Sequence, residues 1–204
     1  MVLSLRSERD LGVIFSSDLK WKNHITERES KANAMLGMIK KTFASLNCKL
    51  LKTLYTTYVR PLVEFAVPVW NPYLKGEIEA LEKIQHRATR LVKNLRKLPY
   101  EQRLEKLNIT TLSARRNRGD LIQVFKTLNG YEKIDLIAKP ELHSASRGHN
   151  FSYKREQTKF TARQEFLLNR AANNWNSLSM KTIQSASVNQ FKANLDNEMN
   201  KFGN

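Results

Sequence analysis

This chain of 204 residues is poor in the residues that form cross-links and turns. It has one cysteine, Cys48, seven glycines and five prolines. A lone cysteine excludes an internal disulfide framework and favours a reducing compartment. So few turn residues disfavour sandwiches, barrels and disordered tails, and no apolar run approaches the roughly 18 residues of a membrane span. The sequence therefore predicts a helical intracellular protein, in the nucleus or the cytoplasm, with no membrane partner.

Acidic residues are also scarce, and their scarcity is local. The chain has 35 Lys and Arg against 19 Asp and Glu, a formal net charge of +16. Residues 83–118 carry eleven basic and only two acidic side chains. A charge that served solubility alone would be spread more evenly along the chain. The concentration predicts a basic patch and favours a polyanion as the partner.

The hydrophobic pattern predicts helices after a short extended beginning. The runs Arg9–Phe15 and Leu19–Trp21, separated by a turn signal at Ser16–Asp18, predict a β-hairpin. Thr26–Glu29 has the spacing of a capping box, which predicts that the first helix begins there. Pro61 predicts a kink or break in the second helical stretch.

The most informative helix is predicted over about residues 75–98. Its apolar residues recur at the helical period and fall on one side: Leu81, Ile84, Ala88, Leu91, Val92 and Leu95. Most of its cations fall on the other side, and no acidic residue lies between Lys83 and Lys97. Most charged helix faces are simply solvated, but those usually mix the two signs of charge. This face would be relieved of like-charge repulsion by phosphate groups.

A further helix is predicted from about Thr111 to Leu128, with Gly130 as its stop. Three arginines near its beginning oppose the helix dipole, at a cost of a few tenths of a kcal/mol each, and an anion at that end would offset the cost. Residues 131–160 show no helical period and contain Pro140 and Gly148, which predicts a long flexible loop. Two apolar-periodic stretches then predict a C-terminal helical pair.

The sequence lacks the motifs of the common catalytic sites. It has no glycine-rich phosphate loop, no nucleophile elbow and no His-Glu-x-x-His zinc motif. The four histidines are scattered, and with one cysteine they make no zinc site. No adjacent pair of aspartates is present to hold two metal ions. These absences predict a noncatalytic chain with no cofactor and no metal.

Several strings of residues, taken in order, resemble the reverse transcriptases of jockey-type non-LTR retrotransposons, from the end of the palm through the thumb. The strings are Asp10-Leu11-Gly12-Val13, Leu19-Lys20-Trp21 with His24-Ile25, residues 58–66 with Val69-Trp70-Asn71-Pro72, residues 81–90, residues 100–104, Arg115-Arg116 and Trp175-Asn176-Ser177-Leu178. Two positions depart from the family pattern. Leu62 stands where histidine is common, and Ser179 stands where proline is common.

The resemblance implies the C-terminal region of an RNA-directed DNA polymerase. Its fold class is mainly α, a helical thumb-like bundle with a short N-terminal β-hairpin. The implied domains are a palm-end hairpin at residues 1–24, a basic thumb-like domain at 25–130, the flexible loop at 131–160 and the helical pair at 161–204. The family's catalytic aspartates would lie upstream of Met1, so the chain alone would be no enzyme. A truncated copy, a gene remnant and a functional module all stay open.

The resulting prediction is a noncatalytic fragment that holds RNA or RNA–DNA duplex by its phosphate backbone, independently of sequence. The missing palm and fingers region is a second partner on the resemblance. The residues predicted to bind nucleic acid are Lys83, Arg87, Arg90, Lys93, Lys97, Arg115, Arg116 and Arg118. The alternative is a helical interaction or scaffold protein whose basic face serves solubility or an acidic protein partner. Affinity that grows with nucleic-acid length and falls with salt favours the first function.

Overall fold

A computed structural model describes residues 7–132, 142–143 and 151–202 of the chain. It is mainly helical with a short N-terminal antiparallel hairpin, as the sequence predicts. The contacts divide the chain into two compact units, residues 1–116 and 117–204. This division falls inside a helix. Among the described residues, no helix is both long and apolar enough to cross a membrane.

The elements of the first unit are β1 (Ser7–Asp10), β2 (Val13–Ser16), α1 (Lys22–Thr42), α2 (Cys48–Leu54), α3 (Arg60–Glu64), α4 (Val67–Trp70), α5 (Lys75–Thr89) and α6 (Tyr100–Leu107). The helix α7 (Leu112–Leu128) contains the division between the units. The elements of the second unit are β3 (Leu142–His143), β4 (Ser152–Tyr153), α8 (Thr161–Gln164), α9 (Leu167–Asn176), α10 (Met180–Ile183) and α11 (Val188–Phe202).

The N-terminal hairpin turns earlier than the sequence predicted. Strands β1 and β2 pair with Asp10 opposite Val13, so the two-residue turn is Leu11-Gly12. Both turn residues have positive φ, 44° and 84°, which gives a twist that suits an antiparallel hairpin. A Cβ on Gly12 would also lie 3.3 Å from the ring of Phe65, so glycine fits both the turn and the close approach. The predicted turn at Ser16–Asp18 instead leads into α1.

Helix α1 begins at Lys22, four residues before the predicted cap at Thr26. Trp21 stands at the cap position, and its ring meets that of Phe15 edge-on at 5.6 Å. The early start extends the buried face of the helix to His24 and Ile25, which pack in the core. Glu27 forms ion pairs with Arg9 and Lys31, and these pairs lower the pKa of Glu27 to about 2. The capping-box prediction was wrong because tertiary packing outweighs the local signal.

His24 connects the hairpin to the helices. Its Nδ1 accepts a hydrogen bond of 3.1 Å from the backbone N–H of Ile14, and its ring lies 4.8 Å from that of Trp70. The side chain is fully buried, and burial, with Arg28 nearby, lowers the pKa of His24 to about 4. Arg28 in turn donates to the carbonyl of Gly12 and lies over the ring of Phe65. The hairpin is therefore held by a neutral histidine and a buried arginine.

The burial of His24 makes the stability of the first unit sensitive to acid. The unfolded chain binds a proton at His24 below about pH 6.5, whereas the folded chain does so only below about pH 4. The free energy of unfolding should therefore fall by up to about 3 kcal/mol as the pH drops through this window. His24→Asn keeps an acceptor for Ile14 but cannot titrate, so urea unfolding between these pH values should show a flatter pH dependence. An unchanged dependence would contradict the assignment to His24.

The chain stays helical past Pro61 without a break. A π-helical turn, Tyr55–Val59, joins α2 to α3, and the N–H of Arg60 donates to the carbonyl of Tyr55. Proline lacks a backbone N–H and crowds the preceding turn, and the wider turn accommodates both effects. Helix α3 then ends at Glu64, Ala66 adopts a left-handed φ of 55°, and α4 begins.

The core of the second unit forms around Trp175 and Phe191, whose rings are 6.1 Å apart. Helix α7 ends at Leu128, as predicted, and the predicted stop Gly130 has a φ of 71°. Ser187 caps α11 by accepting a 3.2 Å hydrogen bond from the N–H of Gln190. The predicted C-terminal pair therefore corresponds to α9 and α11, with the short α8 and α10 beside them.

Most of the segment predicted as a flexible loop, residues 131–160, lies outside the described residues. Its described end is tied to the second unit. Tyr153 is buried and its hydroxyl donates to the carbonyl of Leu168 at 2.8 Å. The side chain of Asn176 makes two hydrogen bonds to the main chain of Tyr153, of 3.1 and 3.0 Å. Strand β4 is thus fixed to α9, and one of the residues that fix it, Asn176, belongs to a string that carries the resemblance.

Candidate nucleic-acid interface

The first unit presents a continuous run of exposed cations, here termed the basic surface. It consists of Lys83, Arg87, Arg90, Lys93, Arg96 and Lys97, all exposed. Among the described residues, none of these six side chains forms an ion pair with a carboxylate. Arg87 donates to the side-chain oxygen of Asn33 at 2.8 Å, and Arg96 donates to the carbonyl of Arg90 at 3.0 Å. Five of the six were predicted as binding residues from the sequence.

The basic surface is built on two short elements rather than one long helix. The predicted helix over residues 75–98 ends at Thr89 as α5, and Val92 is extended. A 3₁₀ turn, Lys93–Leu95, follows. The apolar side was predicted correctly, since Leu81, Ile84, Ala88, Val92 and Leu95 are at most 4% exposed. The helix-length prediction was wrong: α5 ends at Thr89, where a buried arginine from another helix binds its last turn.

That arginine is Arg103, on α6, and it is only 2% exposed. Its Nη1 donates to the carbonyl of His86 at 3.0 Å and to the hydroxyl of Thr89 at 2.6 Å. Its guanidinium also lies over the ring of Tyr100, which stacks on His86 at 3.5 Å. Burial and the nearby Arg103 lower the pKa of His86. Because a guanidinium at a helix C-terminus neutralises its partial negative charge, Arg103 stabilises the last turn of α5, after which Arg90 emerges.

A buried polar network lies behind the basic surface, centred on Gln85, which is fully buried. Gln85 accepts from the hydroxyl of Tyr55 at 2.7 Å. Its amide donates to the Tyr100 hydroxyl and to the carbonyl of Thr110, both at 2.9 Å. The Tyr100 hydroxyl donates to Glu82, and burial together with Glu82 raises the pKa of Tyr100. The network joins the π-helical turn, α5 and α6, so the cations stand on a rigid support.

The three predicted arginines of α7 are either paired with acidic residues or buried. Arg115, in the first unit, pairs with Glu64 through two hydrogen bonds. Arg116 is 3% exposed. Arg118, in the second unit, pairs with Asp196 through two hydrogen bonds. Their guanidinium groups are thus held by protein contacts, and the exposed cations of the basic surface carry the candidate interface.

Sequence reasoning missed Arg103 and Asn33, which position the interface. Arg103 follows Tyr100 by three residues, a spacing that places both on one face of α6, but nothing local marks that face as buried. Asn33 touches Arg87 across 54 residues of sequence. The described residues contain no cluster of three or more His, Cys, Asp or Glu side chains that would hold a metal ion.

No protein family model, curated protein or solved structure matches this chain significantly.

Proposed function

We propose that this chain is a noncatalytic nucleic-acid-binding module that holds RNA–DNA or RNA duplex by its phosphate backbone. The observation that carries the proposal is the basic surface: six exposed cations within fifteen residues, without an acidic residue between them. Like charges spaced one helical turn apart repel each other. Phosphate groups relieve that repulsion, and their counterions are released on binding.

The packing of α5 favours nucleic acid over a membrane surface. A helix that lies on a membrane must bury its apolar face in the lipid. The apolar face of α5 is already buried in the protein, with Leu81 and Ile84 fully buried and Ala88 1% exposed. Only the charged side is therefore available to a partner. The resemblance to jockey-type reverse transcriptases supports an RNA–DNA hybrid as the duplex, and a missing palm and fingers region as a second partner.

The test is the salt dependence of binding to an RNA–DNA hybrid of about 16 base pairs. Wild-type protein should lose affinity steeply between about 50 and 200 mM salt. The variant R87E/R90E/K97E should flatten the log–log slope by about 2–3, since each phosphate contact contributes about 0.9. These side chains point away from the core, so circular dichroism should show the helices intact.

The matched control is K154E/R155E/K159E, which makes the same charge change at exposed residues of the second unit. Its log–log salt slope should change by less than about 0.9, the contribution of one phosphate contact. Equal losses in the two variants would mean that only net charge matters. If the protein binds an acidic polypeptide as tightly as the hybrid, and its affinity does not grow with nucleic-acid length, the proposal is wrong. The chain would then be an interaction protein for acidic partners.

A further inference from the structure

The first unit contains a second stretch of sequence without acidic residues. The net charge of the N-terminal part does not show it, because acidic residues outside the stretch offset its cations. Residues 30–63 contain six basic residues and no acidic one. Three of these cations, Lys40, Lys41 and Lys49, lie around the connection between α1 and α2 and are exposed. Among the described residues, none of the three forms an ion pair.

Two contacts join the segments that carry these lysines to the segments that carry the basic surface. Asn33 of α1 bonds to Arg87 of α5, and further along, Leu46 and Cys48 pack against the cluster that contains Val92 and Leu95. From these two contacts we expect the end of α1 to lie near residues 87–95. Lys40 follows Asn33 by seven residues, which places it about 10.5 Å further along and within about 20° of the same face.

We infer that Lys40, Lys41 and Lys49 form a second row of phosphate-binding cations, and that the two rows together contact both strands of a nucleic-acid duplex. This inference rests on the proposed function. Packed helices lie about 8–10 Å apart, so cations on neighbouring elements reach phosphates that one helix face alone does not. The second row therefore gives the site a preference for double-stranded over single-stranded nucleic acid.

The exposed aromatic rings of the described first unit lie on other elements than these cations, which supports a duplex. Proteins that bind single strands stack successive bases on aromatic side chains. The large exposed aromatic residues among the described part of the first unit are Phe15, Tyr58 and Phe65. None of them is on α1, α5, the α1–α2 connection or residues 90–98. The combined surface thus offers cations without stacking rings, which suits the regular phosphate rows of a duplex.

Helix stabilisation accounts for only part of this arrangement. Lys40 and Lys41 lie in the last turn of α1, where cations interact favourably with the helix dipole. Lys49 is the second residue of α2, where a cation interacts unfavourably with it. The placement of all three beside the basic surface is explained by a common anionic ligand.

The test compares K40E/K41E with the wild type on an RNA–DNA hybrid and on a single strand of equal length. The log–log salt slope on the hybrid should fall by about 1.8, two contacts at about 0.9 each, and the slope on the single strand by less than one contact. The control K20E/K22E makes the same charge change at exposed lysines near the other end of α1. It should change neither slope by more than one contact.

The outcomes separate this inference from the proposed function. If R87E/R90E/K97E flattens the slope while K40E/K41E leaves it unchanged, the second row does not exist and the proposed function stands. If the wild type shows no salt-dependent binding, the proposed function itself fails. Equal losses on hybrid and single strand would overturn the two-strand contact. Should K40E/K41E lose helicity, K40A/K41A keeps the helix propensity and should lose the same two contacts.

Discussion

Replacing Asp120 with asparagine should destabilise the second unit by about 3–5 kcal/mol, because it removes the negative charge that faces the mostly buried guanidinium of Arg170. Asp120 is 3% exposed and accepts two hydrogen bonds from Arg170, of 2.8 and 2.7 Å. Arg170 also donates to the carbonyl of Glu165 at 2.8 Å. With a urea m-value of about 1–3 kcal/mol/M, a loss of this size should lower the urea midpoint by roughly 1–5 M.

The double variant D120L/R170M distinguishes a broken charge pair from a lost contact. Replacing both members with apolar side chains of similar size removes the buried charge as well as the pair, and such replacements are often neutral or stabilising. The double variant should therefore be more stable than D120N. Amide hydrogen exchange in α9 and α11 measures the second unit separately from the first. A double variant less stable than D120N would show that the pair itself stabilises the fold.

The parts of the fold that sequence predicted well are those set by local periodicity. The apolar side of α5 and the bounds of α7 follow from the spacing of apolar residues and from the glycine after α7. The predictions that failed depend on distant partners. The capping box at Thr26–Glu29 lies inside α1 because the helix begins earlier and buries His24 and Ile25 in the core. No local pattern in the chain carries that information.

The candidate site shows the same contrast between features set by local periodicity and features set by distant partners. The exposure of Lys83 and Arg87 follows from their position opposite the apolar side of α5. The pairing of Arg115 with Glu64 spans 51 residues, and that of Arg118 with Asp196 spans 78. A cluster of like charges in sequence therefore separates, in the fold, into cations held by protein partners and cations left exposed.

The strings that carry the family resemblance include many interior positions. Within residues 81–90, Leu81, Ile84, Gln85 and Thr89 are at most 1% exposed. Trp175 is likewise buried, and its indole N–H donates to the carbonyl of Phe151 at 3.1 Å. These positions pack inside the protein. The proposed function depends instead on exposed cations, of which Lys83, Arg87 and Arg90 lie within residues 81–90, and a binding experiment tests it.

Gln85 offers the sharpest test of how that interior supports the surface. We expect Gln85→Leu to destabilise the first unit by about 2–5 kcal/mol, because it leaves the hydroxyl of Tyr55 and the carbonyl of Thr110 without their partner. The hydroxyl of Tyr100 loses the Gln85 amide but keeps its hydrogen bond to Glu82. Urea unfolding, with hydrogen exchange in α5 and α6, measures the loss.

The double variant Y55F/Q85L tests whether unsatisfied polar groups cause the loss. Tyr55→Phe removes the hydroxyl that Gln85→Leu leaves unpaired, and it keeps the ring in the core. The double variant should therefore recover about 1 kcal/mol or more relative to Q85L, although each single change destabilises the wild type. Strictly additive losses would mean that Gln85 acts through packing alone. Because the network joins α5 to α6, the loss of protection should reach the last turn of α5, from which Arg90 emerges.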